Sequence, residues 1–552
     1  MVECYNIFTK RVNVYSFSNG SFQSKKYEWE DLQMKKRYLR LFSLLLSLVL
    51  VLALGAPALA EEPKYGGTLI YSTSGQQYET DLYPPTAVNA SIFMTARPAL
   101  EPLFMLASDG TIKNHLVKDY TMSEDGMTYT FYLQENVLFH DGTPFNAEAV
   151  KWNIEQTQAE GIHAAYSKVE SVEVVDDTTC VLHMSSPDLF FVNFLASVHA
   201  GFMVSPTAVK THGKEWAQTH AVGTGPFVLE SWDHNVEMVY KRNENYWQKG
   251  LPYLDGITIH YVADDVVLAA AFQNQEVDMI YATSSQLIKE LGEKYRITVL
   301  DFPNIAVNLW FSSKNADSPL HDVRVRKAIS YALDMPAIIG SLYSAEVKPT
   351  NQLSYPGSQC WNDEIEGYEY DPEKAKQLLA EAGYPNGLDT TLFIEANDSN
   401  TTLAEALQAY LSVAGINCKI DLVDPARYFE NIMLNSWGDG LATISYTYTP
   451  DELCSIRRML HPDTSIFAHS IDYPSQYTEM LNEMIASPSL EEAIERFKKI
   501  DKYLIDDLCL LNPMYVNNVA VTQHDYVHNI GSGADGETQV RSWTPEQIWL
   551  SK

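Results

Sequence analysis

Residues 223–262 read as three strands in succession, and that stretch constrains the fold of everything around it. Gly223-Thr224-Gly225-Pro226 predicts a tight turn, built from the two residue types that bend a chain most readily. Residues 227–232 and 236–240 flank Asp233-His234-Asn235, the pattern of a β-hairpin. Asn243-Glu244-Asn245-Tyr246-Trp247 leaves the sheet. Residues 257–262 then alternate with a period of two and predict a third strand. Nothing here carries a catalytic pattern.

The chain has 552 residues, too many for one ordinary core, so two or three domains are expected. An apolar run at 41–54 follows Lys35, Lys36, Arg37 and Arg40 and precedes Gly55-Ala56-Pro57-Ala58-Leu59-Ala60. A basic start, a short apolar stretch and an Ala-x-Ala end predict a secretory signal peptide over 34–60, cleaved after Ala60. The run is shorter than the roughly 20 residues a membrane span needs. No cysteine follows it, so no lipoprotein anchor is indicated. Met34 is the natural start, and 1–33 is expected to be an over-extended N-terminus.

The formal charge is −32, and removing 1–60 takes away eight Lys/Arg and four Asp/Glu to leave −36. Phosphate backbones and anionic lipid need basic patches, so neither is an expected partner. Cys180, Cys360, Cys418, Cys454 and Cys509 are far apart and form no Cys-x-x-Cys. At most two disulfides or a set of buried thiols is expected.

In chain order, residues 68–72 read as a strand. Asn146 caps a helix over 147–155, and 169–175 pairs with 179–184 across Asp176-Asp177. After the opening stretch come a helix at 266–273 and strands at 277–280 and 305–311. From there helices alternate with strands. Asp322 caps one helix, Asp371-Pro372 opens another, and Gly383 ends it. Thr402 with Glu405 reads as a capping box for a helix over 403–414, followed by a strand at 416–422. Ser489 with Glu492 opens a last long helix. A β-rich first half and an α/β second half, with no flexible linker, imply lobes joined by ordered crossings, which suits a hinge.

The chemistry of catalysis is missing from the sequence. Residues 531–536 match G-x-G-x-x-G, yet too little chain follows for a dinucleotide site. There is no P-loop, H-E-x-x-H or G-x-S-x-G pattern, and the paired acids at 176–177, 264–265 and 506–507 read as turns and helix faces. No enzyme activity, cofactor or metal is expected.

Five blocks in order resemble the family 5 solute-binding proteins of bacterial ABC importers, the oligopeptide-, dipeptide- and nickel-binding group. They are Asp109-Gly110 with 116–126; Phe139-His140-Asp141-Gly142-Thr143-Pro144-Phe145; 223–247; 322–334; and 370–385. The resemblance implies an α/β, two-lobed periplasmic-binding-protein fold with a β-rich subdomain inserted in the first lobe. It places lobe I at 61–100, 218–303 and 513–552, the subdomain at 101–217 and lobe II at 304–512. It also implies a monomer in the periplasm that captures a peptide or peptide-like solute and delivers it to a membrane permease and its ATPases.

Peptide binders of the family anchor the peptide amino group with an aspartate shortly after a tryptophan. Here Tyr448 stands at the acid's place and Ser445 at the tryptophan's. The nickel-binding branch has a tyrosine and a later histidine, to which Tyr448 and His461 are similar in placement. A metal-chelate binder, and a ligand sensor feeding a membrane receptor, are the alternatives. Tyr83, Tyr166, Tyr446, Tyr448 and His461 are the ligand-binding candidates, since tyrosine offers a flat ring and one hydrogen-bonding end at small entropic cost.

Overall fold

The computed structural model describes residues 11–18, 21–28, 62–74, 81–87, 92–107, 111–188, 190–197, 199–262, 264–281, 284–291, 295–344, 346–447, 452–453, 457, 460–462, 469–530 and 543–552. The chain divides into Met1–Pro63 and Lys64–Lys552. In the first unit, Arg11–Ser18 and Ser21–Glu28 pair antiparallel from Arg11↔Glu28 to Ser18↔Ser21. The sequence reading assigned no element there. Val, Tyr and Phe spread over both strands have the propensity to pair without marking one face. The signal segment 34–60 lies outside the described residues, as does the glycine motif at 531–536. Among the described residues no helix is long and apolar enough to cross a membrane.

The second unit is built on an eleven-stranded sheet. One half orders Phe227–Asp233, Glu237–Arg242, Gly256–Val262, Thr68–Ser74 and Met279–Tyr281. The other half is Leu441–Thr447, Leu388–Glu395 and Ile416–Val423, and the eleventh strand, Val347–Pro349, pairs with Leu511–Gln523 off the main path. Between them lie Leu511–Gln523 and Arg296–Phe311, paired antiparallel from Arg296↔Gln523 to Trp310↔Leu511. These two crossings join the lobes. Arg296–Phe311 is longer than the strand predicted at 305–311, because register shifts at Val299/Pro303 and Pro303/Ile305 absorb a proline that would otherwise end the ladder.

A separate four-stranded sheet orders Val117–Met122, Thr128–Leu133, Thr179–Met184 and Val169–Asp176. The helix Ala147–Glu160 accompanies it, and its Asn146 cap accepts from Ala149 N at 3.0 Å as expected. Asp322, Asp371 and Ser489 likewise cap their helices through side-chain oxygens. The capping box at Thr402 is corrected. The helix runs Asp398–Val413, and Asn397 is its cap, accepting from Asn400 N at 2.9 Å. An extended Asn just before a permissive first turn outcompetes a threonine one turn later.

The predicted turn at 223–226 has a different physical basis. Neither Gly223 nor Gly225 has positive φ. Gly225 N donates to Ala99 O at 3.0 Å and Phe227 N to Pro98 O at 2.9 Å, so backbone lies against backbone. A Cβ on Gly225 would stand 2.5 Å from Pro98 O. Cys180, Cys360, Cys418 and Cys509 are buried thiols.

Candidate functional site

Two apolar cores belong to separate parts of the molecule. One gathers Leu69, Tyr71, Tyr83, Phe227, Ile257 and Trp543, the other Leu309, Val325, Leu392, Leu407 and Met514. A third core is shared. It contains Phe131, Tyr166, Phe190 and Phe191 from the inserted region together with Trp310, Ile444, Leu453, Leu460 and Leu504. The inserted region therefore meets the second half of the sheet along an apolar face.

An ion pair crosses that face. Arg457 Nη1 lies 2.5 Å from Asp188 Oδ2, with the Asp188 side chain fully buried and Arg457 nearly so. Asp188 is held on its own side. Its Oδ1 accepts from Phe190 N at 3.2 Å, and its carbonyl accepts from Tyr129 Oη at 2.7 Å. Lys168 Nζ stands 3.8 Å from the same carboxylate. Burial pushes the Lys168 ammonium down; Asp188 opposes that shift and Arg457 adds to it. A charge triad in an apolar seam resists water, and each member depends on the others for compensation.

The sequence-predicted residues fall in several places. Tyr83 is buried in the first core, where burial, then Glu160 and Asp81, raise its phenol to about 12. Tyr166 belongs to the shared core. Its hydroxyl donates to Ala200 O at 2.7 Å, and its ring meets Phe191 and Phe194 edge-on. His461 is buried beside Leu460, with Nε2 3.1 Å from Asn482 Oδ1. Tyr446 occupies the register position opposite Ala306 on the long crossing strand. Tyr448 lies outside the described residues. Tyr166 and the neighbour of His461 thus share one core, Tyr446 pairs with the crossing beside it, and Tyr83 belongs elsewhere.

Asp188 and Arg457 were missed by the sequence reading. They are 269 positions apart, and no local pattern marks either. Among the described residues no group of three or more His, Cys, Asp or Glu side chains could hold a metal ion.

Two lobes linked by a pair of crossing strands, with an inserted sheet resting on the second lobe, define a hinged binding protein. The profile of the bacterial extracellular solute-binding proteins, family 5, matches residues 111–464, and the chain belongs to that family. The glutathione-binding protein GsiB of Shigella flexneri is 33% identical over 353 residues, 63% of this chain and 68% of that protein. The periplasmic binding protein DppA of Helicobacter pylori, solved with the peptide STSA, superposes with a TM-score of 0.77 at 20% identity, covering 89% of this chain and 99% of that one. NikZ of Campylobacter jejuni, solved with Ni(L-His), gives 0.75 at 19% identity over 87% and 99%. The chain is accordingly a solute-binding component of an ABC importer that works with a membrane permease, and it is not an enzyme.

Proposed function

We propose that the solute is a short peptide or peptide-like molecule, captured between the lobes in the periplasm after removal of a signal peptide, and that the protein works as a monomer. The supporting observation is the 33% identity to a glutathione-binding relative, glutathione being a modified tripeptide. The seam between the inserted region and the second lobe agrees with it. Apolar surface with a few placed polar groups is how such a site combines burial with orientation. Tyr446, Tyr448, His461, Tyr166 and Tyr83 are the candidate ligand-binding residues, Tyr166 belonging to the shared core and Tyr83 to the first core.

Closure can be driven only by a solute that favours the closed arrangement over the open one. The test is calorimetry on residues 61–552, purified without refolding, against glutathione, di- to pentapeptides and Ni(II) with L-histidine. Saturable heats with a peptide support the proposal. Heats with the nickel chelate alone transfer the assignment to the metal-chelate reading.

A further inference from the structure

The long crossing strand carries two polar side chains that no group among the described residues satisfies. Asn308 is 1% exposed, and neither its Nδ2 nor its Oδ1 has a hydrogen-bond partner. Trp310, also 1% exposed, has an unpartnered Nε1. Two residues apart in a strand, they share a face. Asn308 stands opposite Ile444 and Pro513, and Trp310 opposite Ala442 and Leu511. Ala306, Trp310, Ala442, Ile444 and Leu511 all belong to the core shared with the inserted region. The unsatisfied atoms are therefore set into the apolar floor where the two parts meet. Ala306, the next residue on that face, pairs with Tyr446.

Leucine would fill the volume of Asn308 and pack against Ile444. Asparagine instead leaves a donor and an acceptor buried, at a cost of about 1–3 kcal/mol for each such group. Buried polar groups in folded proteins nearly always find partners, so an orphaned pair on a crossing strand calls for one from outside the chain.

We infer that Asn308 and Trp310 are specificity-determining residues that hold an amide group of the solute. The inference rests on the solute-binding reading above. An asparagine amide presents one acceptor beside one donor, the complement of a peptide or carboxamide group. The Trp310 N–H adds a second donor for the same carbonyl. A bare carboxylate would take both donors and leave Asn308 Oδ1 unsatisfied, so the chemistry selects amides over simple acids. It also couples binding to closure. The apolar seam is costly to form over these atoms without the solute and favourable with it, which supplies the differential affinity a hinge requires.

The experiment compares wild type with Asn308→Leu and Trp310→Phe, each probed with glutathione and with trialanine. Expected are an unchanged or higher melting temperature without solute in N308L and a loss of affinity of about 10- to 100-fold, with W310F losing about 5- to 10-fold. Affinity within twofold of wild type overturns the inference. So does a lower melting temperature in solute-free N308L, which would show a partner within the chain or a bridging water. Failure of the wild type to bind either probe overturns the peptide-like reading and this inference with it. Binding by the wild type with N308L unaffected overturns only this one.

Discussion

Tyr246 Oη donates to Glu101 Oε1 at 2.8 Å across 145 positions of chain, and it is one of four donors on that carboxylate. Thr224 Oγ1 at 2.7 Å, Trp247 Nε1 at 2.9 Å and His115 Nε2 at 2.8 Å complete the set. The stretch that begins the sheet at 223–247 is thus tied to the start of the inserted region by one fully buried acid.

Glu101→Gln is expected to destabilise the protein by about 3–5 kcal/mol, because an amide brings its own donors among four others and removes the charge that balances the site. Burial opposes ionisation of Glu101, but the charge and hydrogen bond of His115, then Arg97 and Thr224, outweigh it and hold the carboxyl at about 2. The folded value is below the unfolded one of about 4.3, so its contribution is present above that pH and is lost as pH falls toward about 2. Urea unfolding of wild type and E101Q at pH 7 and pH 3 checks both points. The gap should shrink at the lower pH.

Gly225→Ala is expected to cost about 1–3 kcal/mol through overpacking, since the new Cβ meets Pro98 O at 2.5 Å in a backbone-to-backbone contact with no flexible neighbour to give way. A positive-φ glycine would lose stability through strain instead. A thermal shift with unchanged solute affinity identifies the position as scaffold. Affinity lost at constant melting temperature would contradict that role.

Much of this architecture was legible because its signals are local. Asn146, Asp322, Asp371 and Ser489 announce helix starts by side-chain chemistry alone, and 227–262 announces its strands by turn residues and alternation. The first failure, Thr402 against Asn397, came where two caps compete within a few residues. Asn397→Ala should therefore cost about 1 kcal/mol, while Thr402→Ala, at an exposed position inside the helix, should stay within about 0.5 kcal/mol. Equilibrium unfolding of the two variants separates the assignments. The seam was not legible for another reason. Asp188, Asn308 and Arg457 look like any surface polar residues until the tertiary structure buries them together with Trp310 and Phe190.

The ion pair in that seam makes its own prediction. Arg457→Met leaves Asp188 buried with Lys168, 3.8 Å away, as the one remaining cationic partner among the described residues. A loss of about 3 kcal/mol is expected, the lower end of the range for breaking a buried pair. Adding Asp188→Leu removes the stranded charge and should recover most of that loss. A double-mutant cycle by urea unfolding measures the coupling, and additive losses would mean that the two side chains do not depend on each other.

Asp501 is a further buried acid whose charge matters. Burial raises its carboxyl to about 8, opposed by the Leu353 N–H at 3.3 Å and assisted by Glu452 nearby. The folded value exceeds the unfolded one of about 3.9, so the stability it contributes is fully present below that pH and is lost as pH rises toward and through about 8. Asp501→Asn imitates the neutral acid and cannot ionise. At about pH 3.5, below the unfolded value, the variant should match wild type closely. By pH 8.5 it should be the more stable protein, by at least the roughly 1.4 kcal/mol that one pKa unit represents. Urea midpoints across that range give the comparison. A wild type whose stability relative to D501N is flat from pH 5 to 8.5 would mean that Asp501 is already ionised in the folded chain.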